Sequence, residues 1–435
     1  MNQNKQDLKN INVDEKLNCN SMFIKISHYK DDKLEKTETF PMIHFLEAFE
    51  SEFKKVRYNK IDPNNINYLA LYIRHPFNFD EIIERIPNNL FLAMQNGTVR
   101  PLIIMITEQW DLFDTYAWKK NKFNILPDLG NIPYFNLIKH FISRAIPEEN
   151  ITWLVPDNNY VDQIKFLKDK GYKIKTKFLQ YDYFLETMKV TAKNYNIPNK
   201  IFNKHYNCLC RGVPRNHRYG IIYSLWEAGL VDKGNVSCEA YKELKETKHS
   251  KWVDDLMTTE SFLDKFSTWQ TKKQTFKASL PMHYDHKVNQ HWDLQYSFWD
   301  NKNYDESHIF EEAFLWIASE TKKEQDGVYI TEKTWKAIAY GSPFCINGDN
   351  GSLDYLKSMG YKTFSDFWDE TYDQDSDINK IKKITNIVKN ICDKSIEDIN
   401  LLYQDMMPIL KHNQKVMLEN NQHDNLIMDL TKQNG

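Results

Sequence analysis

The sequence has little that would take it to a membrane or into an oxidising compartment. No apolar run approaches the roughly 18 residues of a membrane-spanning helix. The opening Met1-Asn-Gln-Asn-Lys-Gln-Asp7 lacks the apolar core of a signal peptide, so a cytoplasmic protein is expected. The six cysteines, Cys19, Cys208, Cys210, Cys238, Cys345 and Cys392, include no C-x-x-C pair, and four lie in apolar, strand-like stretches. Buried thiols are expected, and neither a disulfide framework nor a zinc site. Neither charge sign dominates: 57 Lys plus Arg against 60 Asp plus Glu leave −3. That excludes a whole-protein field drawing the chain to nucleic acid or to a membrane surface. Arginine is the scarcest of these: only eight of the 57 basic residues are Arg, three of them lie within 211–218, and none follows Arg218. Arginine kept against such a lysine bias points to its planar fork, which lysine cannot copy on a phosphate.

What is present is enough for two domains. The 435 residues are 41% apolar and 14% aromatic, a composition that folds. Residues 1–20 are polar and Asn-rich and read as a disordered arm. From 21 to 195 strands and helices alternate. Strands are expected at Met22–Ser27, Asn67–Arg74, Leu102–Thr107 and Ile151–Pro156, with one or two more in Lys173–Phe184. Helices are expected at Met42–Val56, Pro133–Ala145 and Val161–Lys170. This β-α alternation argues for a mostly parallel sheet covered by helices. The polar stretch Lys193–Lys204, containing Pro198, reads as a linker. The pattern restarts over 200–420: strand Tyr206–Cys210, loop Arg211–Arg218, helix Tyr219–Leu230, strand Asn235–Cys238, strand Ala313–Ala318, then helices over 376–420. Residues 421–435 read as a polar tail. Two tandem α/β units make a bilobal enzyme with a cleft the expected architecture.

The densest signal is Val328-Tyr-Ile-Thr-Glu-Lys-Thr-Trp-Lys-Ala-Ile-Ala-Tyr-Gly-Ser-Pro-Phe-Cys-Ile346. Thr331 is a natural N-cap, and Gly341 with Pro343 marks the stop. Trp335, Ile338 and Ala339 share a face of the short helix between them. Phe344 to Ile346 read as a buried strand. Glu332 and Lys333 sit on the first turn, where the core does not need them. A helix N-terminus aims free N–H groups at anions; a carboxylate there can take two ribose hydroxyls, and an ammonium a phosphate. The plain alternative is an exposed first-turn pair aided by the helix dipole. Upstream, Arg211-Gly-Val-Pro-Arg-Asn-His-Arg218 follows a strand and opens a helix, where α/β folds bind ligands. Its Arg211, Arg215, Arg218 and His217 are candidates to clamp a diphosphate; the alternative is a solvated basic loop. Glu320 ends an apolar strand and so points into the same strand-end region; the alternative is a helix-capping or solvated carboxylate.

These residues carry a resemblance. Phe314-Leu-Trp-Ile-Ala-Ser-Glu320, a short spacer, Tyr329-Ile-Thr-Glu-Lys-Thr-Trp335 and Ala337-Ile-Ala-Tyr-Gly-Ser-Pro-Phe344 look like the C-terminal signature of the α-1,3-fucosyltransferases and their viral and bacterial relatives. The close match covers about a tenth of the chain, and a looser one runs from about 205 to 370. The resemblance implies an α/β fold of GT-B type, two Rossmann-like lobes with the nucleotide sugar on the C-terminal one. It implies Glu332 on the ribose, Lys333 and one Arg of the 211–218 loop on the diphosphate, and Glu320 near the transferred sugar, with Tyr329 and Thr331 in the same donor motif. The chain departs from the signature at Thr321, where an Asn is usual, and in the charged spacer Lys322–Gly327.

Inverting transfer also needs a carboxylate to take the acceptor proton. Glu108 follows the apolar strand Leu102–Thr107, with Asp111 one helical turn on; both are candidate bases, and a helix start at Glu108 is an equal alternative. Trp110 and Tyr116 lie beside them, as candidates to stack on a sugar ring or to pack in the core. His283-Tyr-Asp285-His286, His291 and Asp293 form no convincing metal set. The expectation is a metal-independent glycosyltransferase using a GDP- or UDP-sugar and a glycan or other hydroxyl acceptor, in the cytoplasm, or the host's if viral. Two alternatives stay open. One is a glycosyltransferase acting on viral DNA bases, for which Lys119, Lys120 and Lys122 offer only a small basic patch; the other is a non-catalytic nucleotide- or glycan-binding module.

Overall fold

The computed structural model describes residues 9–13, 19–24, 53–55, 66–73, 83, 86, 88–105, 133–156, 160–210, 215–238, 259–282, 306–320 and 328–431. The chain divides into two compact α/β units, Met1–Glu186 with Asn421–Gly435, and Thr187–Asn420.

The first unit is built on strands β1 (Lys9–Val13), β2 (Cys19–Ile24), β3 (Phe53–Lys55), β4 (Ile66–Ile73), β5 (Val99–Met105), β6 (Thr152–Val155) and β7 (Lys177–Gln180). They form one sheet in the order β1-β3-β2-β4-β5-β6-β7. From β2 through β4, β5 and β6 to β7 every pairing is parallel, while β1 runs antiparallel to β2 and β3. Helices α1 (Asn88–Gln95), α2 (Pro133–Ile142) and α3 (Tyr160–Asp169) supply one side of the core. Leu90, Met94, Leu137, Phe141 and Leu167 meet Leu69, Ile103 and Trp153 there. The intervening strand residues Tyr68, Leu102, Ile104 and Leu154 are also buried. Two covered faces explain why β4 to β6 read as continuous apolar runs and not as alternating ones.

The other face is closed by a C-terminal helix. The Tyr68 hydroxyl donates to the Leu430 carbonyl at 2.8 Å, and Lys177 Nζ donates to Asp429 O at 3.3 Å. At the helix start, Gln422 exchanges hydrogen bonds with the main chain of Asp182, at 3.1 and 2.8 Å.

The second unit holds β8 (Lys204–Cys210), β9 (Gly234–Cys238), β10 (Ala313–Ser319) and β11 (Phe344–Asn347). They make an all-parallel sheet in the order β11-β10-β8-β9. The helices, in chain order, are α4 (Tyr183–Asn194), which spans the unit boundary, α5 (Asn216–Glu227), α6 (Trp269–Ala278), α7 (Ser307–Glu312), α8 (Glu332–Ala339), α9 (Ser352–Ser358), α10 (Asp377–Cys392) and α11 (Ile396–Glu419). The first unit's closing helix is α12 (Gln422–Thr431). From β8 the chain steps through α5 to β9 on one side; from β10 it steps through α8 to β11 on the other. Right-handed crossovers in opposite directions put α5 and α8 on opposite faces, and α5 packs with α10 while α8 packs with α11. The strand order therefore reverses between β8 and β10, and their C-terminal ends are the switch point where such sheets bind ligands.

Several sequence expectations change. The arm expected over 1–20 contains β1 and the start of β2; polar Asn-rich residues serve at a sheet edge because the pairing is made by backbone. The helix expected over Met42–Val56 gives way to β3 at Phe53–Lys55, and residues 42–52 lie outside the described residues. In Lys173–Phe184 there is one strand, and Tyr183 already opens α4. That helix also takes up the start of the expected linker. The tail expected at 421–435 is helical over Gln422–Thr431 and buries Leu426, Ile427 and Leu430. Among the described residues no helix is long and apolar enough to cross a membrane.

Replacing Leu430, fully buried, by Ala should cost the first unit about 2–4 kcal/mol, a value typical of a cavity left in a packed core. Urea denaturation followed by tryptophan fluorescence reads this; an unchanged midpoint would mean that α12 is not part of that core.

Candidate functional site

Three segments meet at the switch point: the end of β10, the start of α5 and the start of α8. Helix α8 forms as the sequence predicts. Thr331 is its N-cap, in extended backbone, and its hydroxyl accepts from Lys333 N at 3.5 Å. Gly341 closes it at φ +58°, with Ser342 N bonded to Ala337 O at 2.8 Å, a left-handed stop that glycine tolerates best.

The burial is not as the sequence predicts. Trp335, Ile338 and Ala339 are inside, and so are Glu332, Thr334 and Lys336; only Lys333 is partly exposed. The reading of Glu332 and Lys333 as a solvated first-turn pair therefore fails for Glu332, which is 4% exposed. One of its oxygens pairs closely with Lys333 Nζ, and the other, Oε2, has no hydrogen-bond partner among the described residues. Burial opposes ionisation of Glu332, but Lys333, with Lys336 further off, outweighs it and holds the carboxyl below its usual range. Its ion pair thus adds stability above the unfolded carboxyl's pKa and loses it as pH falls through the lower folded value. Exposed pairs contribute about 0–1 kcal/mol, whereas a buried acceptor left unsatisfied costs about 1–3 kcal/mol. The unsatisfied Oε2 thus offsets what the ion pair contributes, and a ligand hydroxyl or amide would satisfy it.

Glu320 is fully buried and already engaged. Its Oε2 accepts from Thr331 N at 3.2 Å and from the Thr331 hydroxyl, and its Oε1 accepts from the Thr334 hydroxyl. Burial raises its pKa above the usual range; Lys333 and the two threonines pull the other way. The Glu320 carbonyl accepts from His217 Nε2 at 2.7 Å, which makes that nitrogen the protonated one, and from Arg218 Nη2 at 3.5 Å. His217, expected as a possible phosphate ligand, thus spends this N–H on the β10 end. Asn347 Nδ2 reinforces the junction, donating to His217 O at 3.1 Å and Ser319 Oγ at 3.2 Å.

Of the three arginines in the loop, Arg218 lies in the first turn of α5 with a buried Nε that has no partner among the described residues. Arg215 precedes that helix as its N-cap residue, and Arg211 lies outside the described residues. Tyr329 is buried two residues before Thr331. Glu108, Asp111, Trp110, Tyr116, Lys119, Lys120, Lys122, Thr321 and the 283–293 His/Asp group also lie outside the described residues.

Cys210, which the sequence reading treated as a buried thiol, marks where the cations converge. It is buried at the end of β8 with its Sγ 3.8 Å from that of Cys208. Its pKa is brought down to about 7 by the Cys208 hydrogen bond, against burial, with Arg218, Ser319 and Lys333 adding to the fall. One point thus feels a guanidinium from α5 and an ammonium from α8. A second buried pair lies further along α8, Lys336 Nζ to Glu306 at 2.9 Å, where burial raises the Glu306 carboxyl. Neither Glu306 nor Thr334 stood out in the sequence. Among the described residues no three His, Cys, Asp or Glu side chains are grouped to hold a metal ion, and Cys208, Cys210, Cys238, Cys345 and Cys392 are thiols, not disulfides.

No family model matches the chain, and no curated protein matches it.

Titrating thiolate absorbance as the difference between wild type and Cys210→Ser should give a midpoint below the usual thiol range for the first proton lost by the Cys208–Cys210 pair. Lys333→Ala should move it upward; an unmoved midpoint would mean that Lys333 does not act at this point.

Proposed function

We propose that the protein is a glycosyltransferase that takes a sugar from a nucleotide-diphospho sugar, GDP-linked in our reading, and passes it to an acceptor hydroxyl with inversion. The observation that carries this is Glu332: a buried, ionised carboxylate with an unpartnered oxygen, beside Lys333, at the switch point of a parallel sheet. Glu332 would accept from the ribose hydroxyls. Lys333 and Arg218 would take the diphosphate, with Tyr329 and Thr331 shaping the turn. The likeness of 314–344 to the fucosyltransferase signature favours the same chemistry.

In this GT-B reading the second unit binds the donor and the first provides the base, from Glu108 or Asp111. The acceptor oxygen bonds to the anomeric carbon as the bond to the β-phosphate oxygen breaks. The acceptor proton passes to the base, and the diphosphate leaves with its charge met by Lys333 and Arg218. The reaction so written needs no metal ion.

Calorimetry with GDP and UDP tests the assignment. Lys333→Ala should weaken GDP at least about tenfold, the scale of a lost charge-assisted contact. Glu332→Gln should weaken GDP while leaving 2′,3′-dideoxy-GDP, which lacks both hydroxyls, unaffected. Equal affinities in wild type and variants would remove the site assignment.

A further inference from the structure

Glu320 touches both halves of the site. Its carbonyl accepts from His217 and Arg218 at the start of α5, and its carboxylate from Thr331 and Thr334 around the start of α8. These helices leave neighbouring strands toward opposite faces of the sheet, and what lies between their first turns ties the two together. Glu320 occupies that position, and the protein encloses it. Gly348, just past β11, lies so near that an added Cβ would come within 3.1 Å of Glu320 Cγ. Both carboxylate oxygens are engaged by the turn, and the side chain has no solvent-exposed surface.

Resting on the nucleotide-sugar reading, we propose that Glu320 is a positioning residue of the donor site and makes no contact with the transferred sugar. Its carboxylate fixes the turn that aims Glu332 and Lys333, and its carbonyl holds Arg218 on the same target. The charge sits at the N-terminus of α8, where it completes the cap that Thr331 begins; the partner of the N-cap is supplied by a strand instead of by the helix's own third residue. This departs from the resemblance, which puts the residue near the sugar.

The two roles predict different losses. A positioning residue acts on nucleotide and diphosphate recognition, so Glu320→Gln should weaken GDP and the GDP-sugar by the same factor, about tenfold, as expected when a charged acceptor becomes a neutral one. A sugar contact would weaken only the GDP-sugar, and that result would overturn the proposal. Thr334→Val should weaken both ligands in the same ratio, and Thr334→Ser, which keeps the hydroxyl, should restore them. Hydrogen–deuterium exchange of ligand-free protein supplies an arm independent of the nucleotide. Glu320→Gln should speed exchange at residues 331–335 and 216–220 and leave 377–392 protected. Unchanged exchange at the first two segments would overturn the proposal; loss of protection at all three would show general unfolding, and would overturn it too. If wild type binds neither ligand while local exchange changes as expected, the nucleotide-sugar reading fails and Glu320 keeps only its role in joining the two turns.

Discussion

Helix α8 is buried everywhere except at Lys333, and each of its ends meets a buried ionisable side chain whose charged form the helix dipole favours. At the N-terminus stands the Glu320 carboxylate, bonded to Thr331 and Thr334. At the C-terminus stands Lys200, whose Nζ lies within hydrogen-bond distance of Tyr340 O at 2.7 Å, Gly341 O at 3.1 Å, Phe310 O at 3.1 Å and Ser342 Oγ at 3.2 Å, more acceptors than its N–H groups can serve at once, while burial lowers its pKa to about 7 against the pull of Glu311. The orphan groups of a buried helix end must be satisfied by something other than water, and here ionisable side chains do it. The aromatic packing around it follows from this placement: the Phe310 ring stacks on Trp316 of β10 and on Tyr340 at the end of α8, at 4.4 and 4.5 Å. With α8 held at both ends, its first turn presents Glu332 and Lys333 at a fixed point beside the end of β10.

That fixed point coincides with the place where the strand order reverses. A parallel sheet with its switch between β8 and β10 leaves room at those strand ends, because the flanking helices diverge. Arg218 and Lys333 arrive there from opposite directions, and Cys210 responds to both. The site is thus a consequence of topology as much as of motif. The first turns of α5 and α8 lie more than a hundred residues apart in the chain and both bond to Glu320. The buried pair Glu306–Lys336, and Glu332 buried beside a partly exposed Lys333, carry desolvation costs that a surface helix would not.

Much of this was legible in the sequence, for reasons that also explain what was not. The strands from Asn67 to Pro156 could be read because a sheet covered on both faces needs unbroken apolar runs. Thr331 and Gly341 could be read because caps are local chemistry. Helix α4 was hidden because Tyr183-Phe-Leu185 resembles the end of a strand, and its helical character emerges only with the residues that follow. Helix α12 was hidden because Leu426, Ile427 and Leu430 are few among polar neighbours and find their sheet more than 350 residues back, at Tyr68. A helix-capping carboxylate was one reading of Glu320, but which helix it caps was hidden, because its donors, 11 and 14 residues away, become neighbours only when α8 packs beside β10. Its position at a strand end is visible in the chain; the direction of its carboxylate is not.

The central claim is that a nucleotide's ribose sits against the first turn of α8. A periodate-oxidised nucleoside diphosphate carries aldehydes in place of the ribose hydroxyls, and these form an imine with a lysine amine close by, which borohydride reduction makes permanent. Mass spectrometry of the digested protein should find the label on Lys333, lost when unmodified GDP is present in excess. Labelling spread over surface lysines and indifferent to GDP would contradict the account.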